Sequence, residues 1–176
     1  PYSVYTKSKL EAEVGLLNLS LTSNLDVVII RPPLVYGLNA PGNFGKLLRL
    51  VKIPIPLPFG NIDNKRSLLA LDNLVNFIIL CLDLKKSNKA KNQVFLISDK
   101  LDISTSDLIR VVAESQYTKP WLFPFPVKWL ESIAKIFGRE DMSRQLLGSL
   151  QIDNSKANDL LGWNPVTTIE HQLKKR

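Results

Sequence analysis

Tyr5 and Lys9 stand four residues apart in Tyr5-Thr6-Lys7-Ser8-Lys9-Leu10-Glu11-Ala12-Glu13, close to the start of a 176-residue chain. On a helix, positions i and i+4 lie one above the other on the same face. A phenol and an ammonium placed in this way can work as one unit. The cation favours phenolate over phenol, which otherwise titrates near ~10. Such a tyrosine can take a proton from a sugar hydroxyl, or return one. The neighbouring residues suit the helix this requires: Leu10, Ala12, Leu16 and Leu17, with Glu11 and Glu13, carry it to about Leu21. A solvated helix face rich in Lys and Glu would show the same spacing, so on spacing alone both readings stand.

The elements that must position this pair come next. Thr22-Ser23-Asn24 is a turn, and Val27-Val28-Ile29-Ile30 reads as a buried strand. The strand runs into Arg31-Pro32-Pro33-Leu34-Val35-Tyr36-Gly37, where two prolines remove donors and stop it. Tyr-x-x-x-Lys helix, strand and Arg-Pro-x-x-Val-Tyr-Gly turn together resemble the extended short-chain dehydrogenase/reductase family. Within it, the resemblance is to nucleotide-sugar epimerases, 4,6-dehydratases and 4-ketoreductases, and it extends over nearly the whole chain.

The resemblance implies roles. Tyr5 would be the general acid/base. Lys9 would lower its pKa and hold a ribose of NAD or NADP, and the loop at Pro32 would run past the nicotinamide. Many members carry Asn where Leu34 stands, and Leu34 cannot make that sugar-side contact. Asn43 either caps the helix from Phe44 to Val51 or approaches the substrate diphosphate. Ile53 to Gly60 has proline at every second position, which excludes a central strand. Its Phe59 either lines the nucleotide-base pocket or packs in the core. Lys65 to Val75 resembles the family's strand-to-helix module, with Asp72 as helix cap and Arg66 gripping the diphosphate through its planar fork of donors. Ser155-Lys156-Ala157 through Leu161-Gly162-Trp163-Asn164-Pro165 is similar to a frequent ending of nucleotide-sugar epimerases. Arg144, just upstream, is the candidate contact to the nucleotide ribose or phosphate, and this stretch points toward UDP-sugars of bacterial surface-polysaccharide synthesis.

The remaining segments read as scaffold. Leu74, Val75, Ile78, Ile79 and Leu82 form the expected buried face of a helix from Asp72 to Leu84, which also holds Cys81. Gln93 to Ile97 is a strand, and Ser98-Asp99-Lys100 a turn. Ser104 or Thr105 caps a helix from Ser106 to Glu114. Pro120 to Pro126 is extended and aromatic, and Val127 to Phe137 is an amphipathic helix stopped by Gly138. That pair is either a partner surface or packing within the lobe. Leu150 to Ile152 is a short strand, Asp153 or Asn154 caps the helix through Leu161, and Thr168 to Lys175 is a last helix.

The expected fold class is α/β: the end of a Rossmann-type parallel sheet (residues 1–37) plus a smaller α/β substrate-binding lobe (38–176, with segments returning to the sheet). No Gly-rich strand-turn-helix occurs here, so the dinucleotide cradle is expected upstream in a longer enzyme, and these residues alone are expected to be inactive. A homodimer is expected of the full-length enzyme.

The net charge of +7 raises nucleic-acid binding. The densest basic runs, Lys85 to Lys91 and Lys174 to Arg176, lack interleaved aromatics, so solvated loops are the better reading. A single cysteine forms no internal disulfide and fits a reducing cytoplasm. No apolar run is long enough for a membrane span. The lone His171 has no metal-ligating neighbours in sequence. A scaffold that kept the fold without catalysis is the competing functional class.

Overall fold

The computed structural model describes residues 4–38, 40–83 and 87–174. Asn39 of the first loop, Leu84 at the expected helix end, Lys85 and Lys86 of the internal basic run, and Lys175 and Arg176 of the terminal one lie outside the described residues. The elements follow in the order α1 (Val4–Thr22), β1 (Val28–Arg31), β2 (Leu34–Tyr36), α2 (Gly42–Leu50), β3 (Pro56–Leu57), β4 (Leu68–Ala70), α3 (Leu71–Leu82), α4 (Ser87–Ala90), β5 (Gln93–Leu96), α5 (Thr105–Ser115), β6 (Trp121–Leu122), α6 (Val127–Ile136), α7 (Glu140–Leu147), α8 (Ser155–Leu161) and α9 (Ile169–Lys174). The fold is α/β, with the strands in three parallel pairs: β1 with β5, β2 with β4, and β3 with β6.

β4 divides the interior. All three of its residues are buried, and its side chains alternate between faces as a strand requires. Leu68 and Ala70 enter one core with Tyr36, Phe44, Leu108, Ile109 and Val112. Leu69 enters the other, with Phe77, Phe95, Ile97, Leu161 and Trp163. There Phe77 meets Phe95 and Trp163 edge-on, with centroids 5.3 and 5.2 Å away.

A strand buried on both faces must pair the polar groups at its ends. Asp99, just beyond β5, does this. Its Oδ1 accepts from the Ala70 backbone N–H (3.0 Å) and from Asn73 Nδ2 (2.6 Å). Its Oδ2 accepts from the Tyr36 hydroxyl at 2.6 Å. Asn73 passes the connection on, its Oδ1 accepting from the N–H groups of Val166 and Thr167.

This network corrects two expectations for α3. Asp72 does not cap the helix; Ala70 holds the N-cap position and has no side-chain bond. Asp99 satisfies that backbone N–H instead. The buried face is Asn73, Phe77 and Cys81, not the stripe through Val75, Ile78, Ile79 and Leu82, which is exposed. Apolarity alone misplaces the face because the polar Asn73 is fully buried by its hydrogen bonds.

Other differences are local. β1 ends at Arg31 before the prolines, yet the chain resumes as β2 instead of a loop. Leu150 makes only an isolated bridge, to Arg66. The expected loop at 87–90 is a short helix, and Glu140–Leu147, for which the sequence predicts no element, is helix α7. Ser104 caps α5, accepting from the Asp107 N–H. Asp153 accepts from the Ser155 N–H and hydroxyl at the start of α8, and Gly162 closes that helix at φ 65°.

Burial and the Asp99 hydrogen bond both raise the pKa of Tyr36 above the ordinary phenol value. A folded pKa above the unfolded one means that stability is complete below pH ~10 and declines as pH rises past it. Tyr36→Phe is expected to cost about 1–3 kcal/mol at neutral pH, the penalty of a lost buried partner. It should also remove part of the alkaline decline. Urea unfolding at neutral pH and above pH ~10 measures both effects.

Candidate functional site

Arg66 occupies the approach to β4. Its backbone N–H donates to Ile103 O (3.1 Å) and its carbonyl accepts from Ile103 N–H (3.0 Å). On the other side Ser67 N–H donates to Leu150 O at 2.7 Å. Held from both sides, Arg66 extends its Nη1 to the Gly148 carbonyl at 3.0 Å. The guanidinium is half-buried, and burial lowers its pKa. Among the described residues no carboxylate pairs with it. A partly desolvated cation without an acid is a ready anion receptor.

The segment from α7 to Gly148 collects the other substrate-side candidates. Asn43 donates from Nδ2 to Gln145 Oε1 at 3.0 Å. It does not cap α2, which begins at Gly42 with Pro41 at the N-cap. Gly42 takes a positive φ of 74° and turns the chain one residue early, leaving the Asn43 side chain free for α7. Arg144 lies on α7 with Nη2 3.7 Å from both Glu140 and Asp141. Phe59 packs partly on the core of Phe44 and Leu48 and partly lines an apolar groove of about 310 Å³ with Ser143 and Leu146. The segment itself is fixed by the buried Asn64, whose Nδ2 donates to Leu146 O and Gly148 O while its Oδ1 accepts from Thr105 N–H. Asn64 was not singled out in the sequence. Its position in a turn beside Arg66 was the available signal.

Tyr5 and Lys9 sit apart from this group. They lie on one face of α1, with Lys9 Nζ 5.7 Å from the centroid of the Tyr5 ring. Tyr5 is 69% exposed, and α1 has no buried residue. What ties α1 to the sheet is Arg31, whose Nε and Nη2 donate to the Glu13 carboxylate. Pro32 is exposed between β1 and β2. Among the described residues no hydrogen bond or ion pair joins Tyr5 or Lys9 to Arg66, Asn43 or Arg144. Cys81 is buried, and burial raises its thiol pKa.

No family model matches the chain. It is 43% identical, over 176 residues and 99% of its length, to UDP-glucose 4-epimerase of Vibrio cholerae. That similarity, running over nearly the whole chain, supports the resemblance to the extended short-chain dehydrogenase/reductase family. The chain spans about half the length of that curated relative (53%). Two solved structures share its fold. One is the UDP-N-acetylglucosamine 4-epimerase of Bacillus cereus, with a TM-score of 0.72 at 18% identity, covering 99% of this chain and 53% of that one. The other is the UDP-glucuronic acid 4-epimerase of Bacillus cereus in complex with NAD, with a TM-score of 0.70 at 20% identity, covering 99% and 51%.

Gly60 holds the chain just after Phe59 against Phe123. Its N–H donates to Phe123 O at 3.0 Å, and a Cβ there would stand 2.7 Å from the Phe123 carbonyl carbon. The Phe123 carbonyl oxygen (2.9 Å) and the Pro124 nitrogen (3.0 Å) are as close, and all three are backbone atoms that cannot swing away. Gly60→Ala is therefore expected to lose about 1–3 kcal/mol through overpacking, read as a lowered denaturation midpoint with an unchanged m-value.

Proposed function

We propose that the protein is an NAD(P)-dependent nucleotide-sugar epimerase, acting on a UDP-sugar by tyrosine-assisted proton transfer at a sugar carbon. The observation that carries this is the 43% identity to a UDP-glucose 4-epimerase across 99% of the chain. The Tyr5–Lys9 pair and the acid-free Arg66 supply the chemistry. In this reading residues 1–37 belong to the cofactor lobe and 38–176 mainly to the nucleotide-sugar lobe. The parallel pairing of β1 with β5 supports a return of the later chain to the first. The setting is cytoplasmic and the working enzyme a homodimer.

The residues present fit one end of a nicotinamide cofactor. A phenol and an ammonium stand side by side on an exposed helix face, and Pro32 is exposed at the end of β1. A bound nicotinamide supplies the acceptor and donor of hydride for the sugar carbon. Tyr5 Oη would take the proton of the sugar hydroxyl as that carbon is oxidised to a ketone, and would return it to the same oxygen when the ketone is reduced on its other face. Lys9 would stabilise the phenolate that takes the proton and is regenerated when the proton is returned, and would offer its remaining N–H groups to a ribose. Arg66 holds the diphosphate, with Asn43 and Arg144 beside it along α7, and Phe59 packs against the base. The fixed diphosphate keeps the sugar within reach while its carbon changes configuration.

Two variants of the full-length enzyme test these roles. Tyr5→Phe is expected to lower kcat by about 10²–10⁴-fold, the usual worth of a positioned acid/base. Its circular dichroism should not change, because Tyr5 packs against nothing buried. Activity within twofold of the parent would remove Tyr5 from the reaction. Arg66→Ala is expected to weaken nucleotide-sugar binding by about 1.5–3 kcal/mol, and Arg66→Lys to restore only part of it. Unchanged calorimetric affinity in both would take Arg66 out of the site. The 176 residues on their own contain no Gly-rich pyrophosphate turn. They should show no saturable NAD(H) binding at micromolar concentration, and saturation in such a titration would place the cofactor elsewhere.

A further inference from the structure

Asn64 lies in the turn just before Arg66, where an asparagine side chain would ordinarily be solvated. It is instead buried, at 8% exposure. Both hydrogens of its amide nitrogen and one lone pair of its oxygen are used. Nδ2 donates to the carbonyls of Leu146 (3.1 Å) and Gly148 (2.9 Å), and Oδ1 accepts from the Thr105 N–H at 2.8 Å. These partners fix which way the amide points. With its oxygen and nitrogen exchanged, an oxygen would face two carbonyls and an NH2 group a backbone donor.

The Gly148 carbonyl is where this amide meets the site. A carbonyl oxygen has two lone pairs. One takes Asn64 Nδ2, the other Arg66 Nη1 at 3.0 Å. Among the described residues the Arg66 guanidinium has no other hydrogen-bond partner, so the direction of its fork is referred to that one carbonyl. Gly148 also reaches the second arginine. Its N–H donates to the Arg144 carbonyl at 3.1 Å at the end of α7, and a Cβ on Gly148 would stand 2.6 Å from that oxygen.

The other two contacts of Asn64 do not bear on Arg66. Leu146 O keeps a second donor, the Thr105 hydroxyl. The chain after Gly148 is tied down independently, by Leu150 N–H to Lys65 O and Ser67 N–H to Leu150 O. Removing the amide therefore leaves the Gly148 carbonyl with Arg66 as its sole partner, inside a segment still held in place.

We propose that Asn64 is the positioning residue of the diphosphate receptor: by occupying one lone pair of the Gly148 carbonyl, it fixes the acceptor that orients the Arg66 fork. The proposal rests on the reading of Arg66 given above. A guanidinium anchored in advance loses less side-chain freedom when it binds an anion. The effect therefore falls on affinity for the diphosphate and spares the cofactor.

The test is calorimetric titration of the full-length enzyme with UDP, and with NADH or NADPH, whichever the parent binds. Asn64→Ala is expected to weaken UDP binding about tenfold and to leave the cofactor affinity unchanged. In the Arg66→Ala background it should add no more than about twofold, because its effect passes through the guanidinium. Asn64→Asp keeps the size of the side chain and the acceptor for Thr105, so it serves even where the alanine variant fails to fold. It sets a carboxylate across the shared carbonyl from Arg66, and should weaken UDP binding at least as much as Asn64→Ala. A packing role alone would make the aspartate variant the milder one. UDP affinity within twofold of the parent in both Asn64 variants, with Arg66→Ala weakened, would overturn the positioning role and leave the diphosphate reading standing. Equal losses from Asn64→Ala with and without Arg66 would overturn it as well. Unchanged affinity in Arg66→Ala would overturn the diphosphate reading, and this proposal with it.

Discussion

The structure depends on one carboxylate. Asp99 receives the Tyr36 hydroxyl, the Ala70 N–H and the Asn73 amide, and its own N–H donates to Leu68 O at 2.7 Å. These donors come from β2, from the end of β4, and from α3. A partly buried charge is costly unless several donors surround it, and here they do. The arrangement is forced by β4, which is buried on both faces. Without Asp99, the turn from β4 into α3 would leave a backbone donor unpaired between two cores. Asn73 then extends the same network to Val166 and Thr167, fixing the C-terminal segment against α3.

The site inherits its order from that wall. Arg66 and Ser67 lead straight into β4, so the strand that separates the cores also fixes where the guanidinium leaves the backbone. Ser67 Oγ donates to Asp102 and accepts from the Ile152 N–H, binding the approach to two more segments. Asn64 locks α7 and Gly148 to the start of α5 on the other side. Three distant parts of the chain thereby converge on a half-buried cation with no acid of its own. A structural arginine would ordinarily be neutralised where it is desolvated. Arg66 instead meets a single carbonyl, which leaves donors of its fork available for phosphate oxygens.

What was legible in the sequence was mostly local. The helix around Tyr5 and Lys9, the strand before Pro32, the Ser104 cap and the Gly162 stop each depend on a few neighbouring residues, and each stands where its local chemistry puts it. What was not legible depended on partners far along the chain. Asp99 looks like a turn residue until Tyr36, 63 positions away, is placed beside it. Asn73 looks unsuited to a buried face until its bonds to residues 93 and 94 positions away are known. Asn43 likewise reads as a cap because its partner, Gln145, lies 102 positions on. The candidate site was legible as residue types, and the gathering of Asn43, Arg66 and Arg144 along α7 was not, since α7 itself carried no sequence signal of comparable strength.

The least constrained element is the one that would carry the proton chemistry proposed for Tyr5 and Lys9. α1 has no buried residue, and its Leu10, Val14, Leu16 and Leu19 are exposed. The ion pair that anchors it, Arg31 to Glu13, is partly solvated, and such pairs contribute only about 0–1 kcal/mol. Burial of its apolar residues would be worth far more, at roughly 25 cal/mol per Å². The i, i+4 geometry of Tyr5 and Lys9 is therefore secured by the helix, while the direction in which the pair faces is set by whatever surface covers α1. The exposed α3 stripe poses the same demand. An enzyme of the proposed kind needs both, because a phenol poised for proton transfer is useful only when a second surface brings cofactor and sugar to within an ångström or so of their reacting positions.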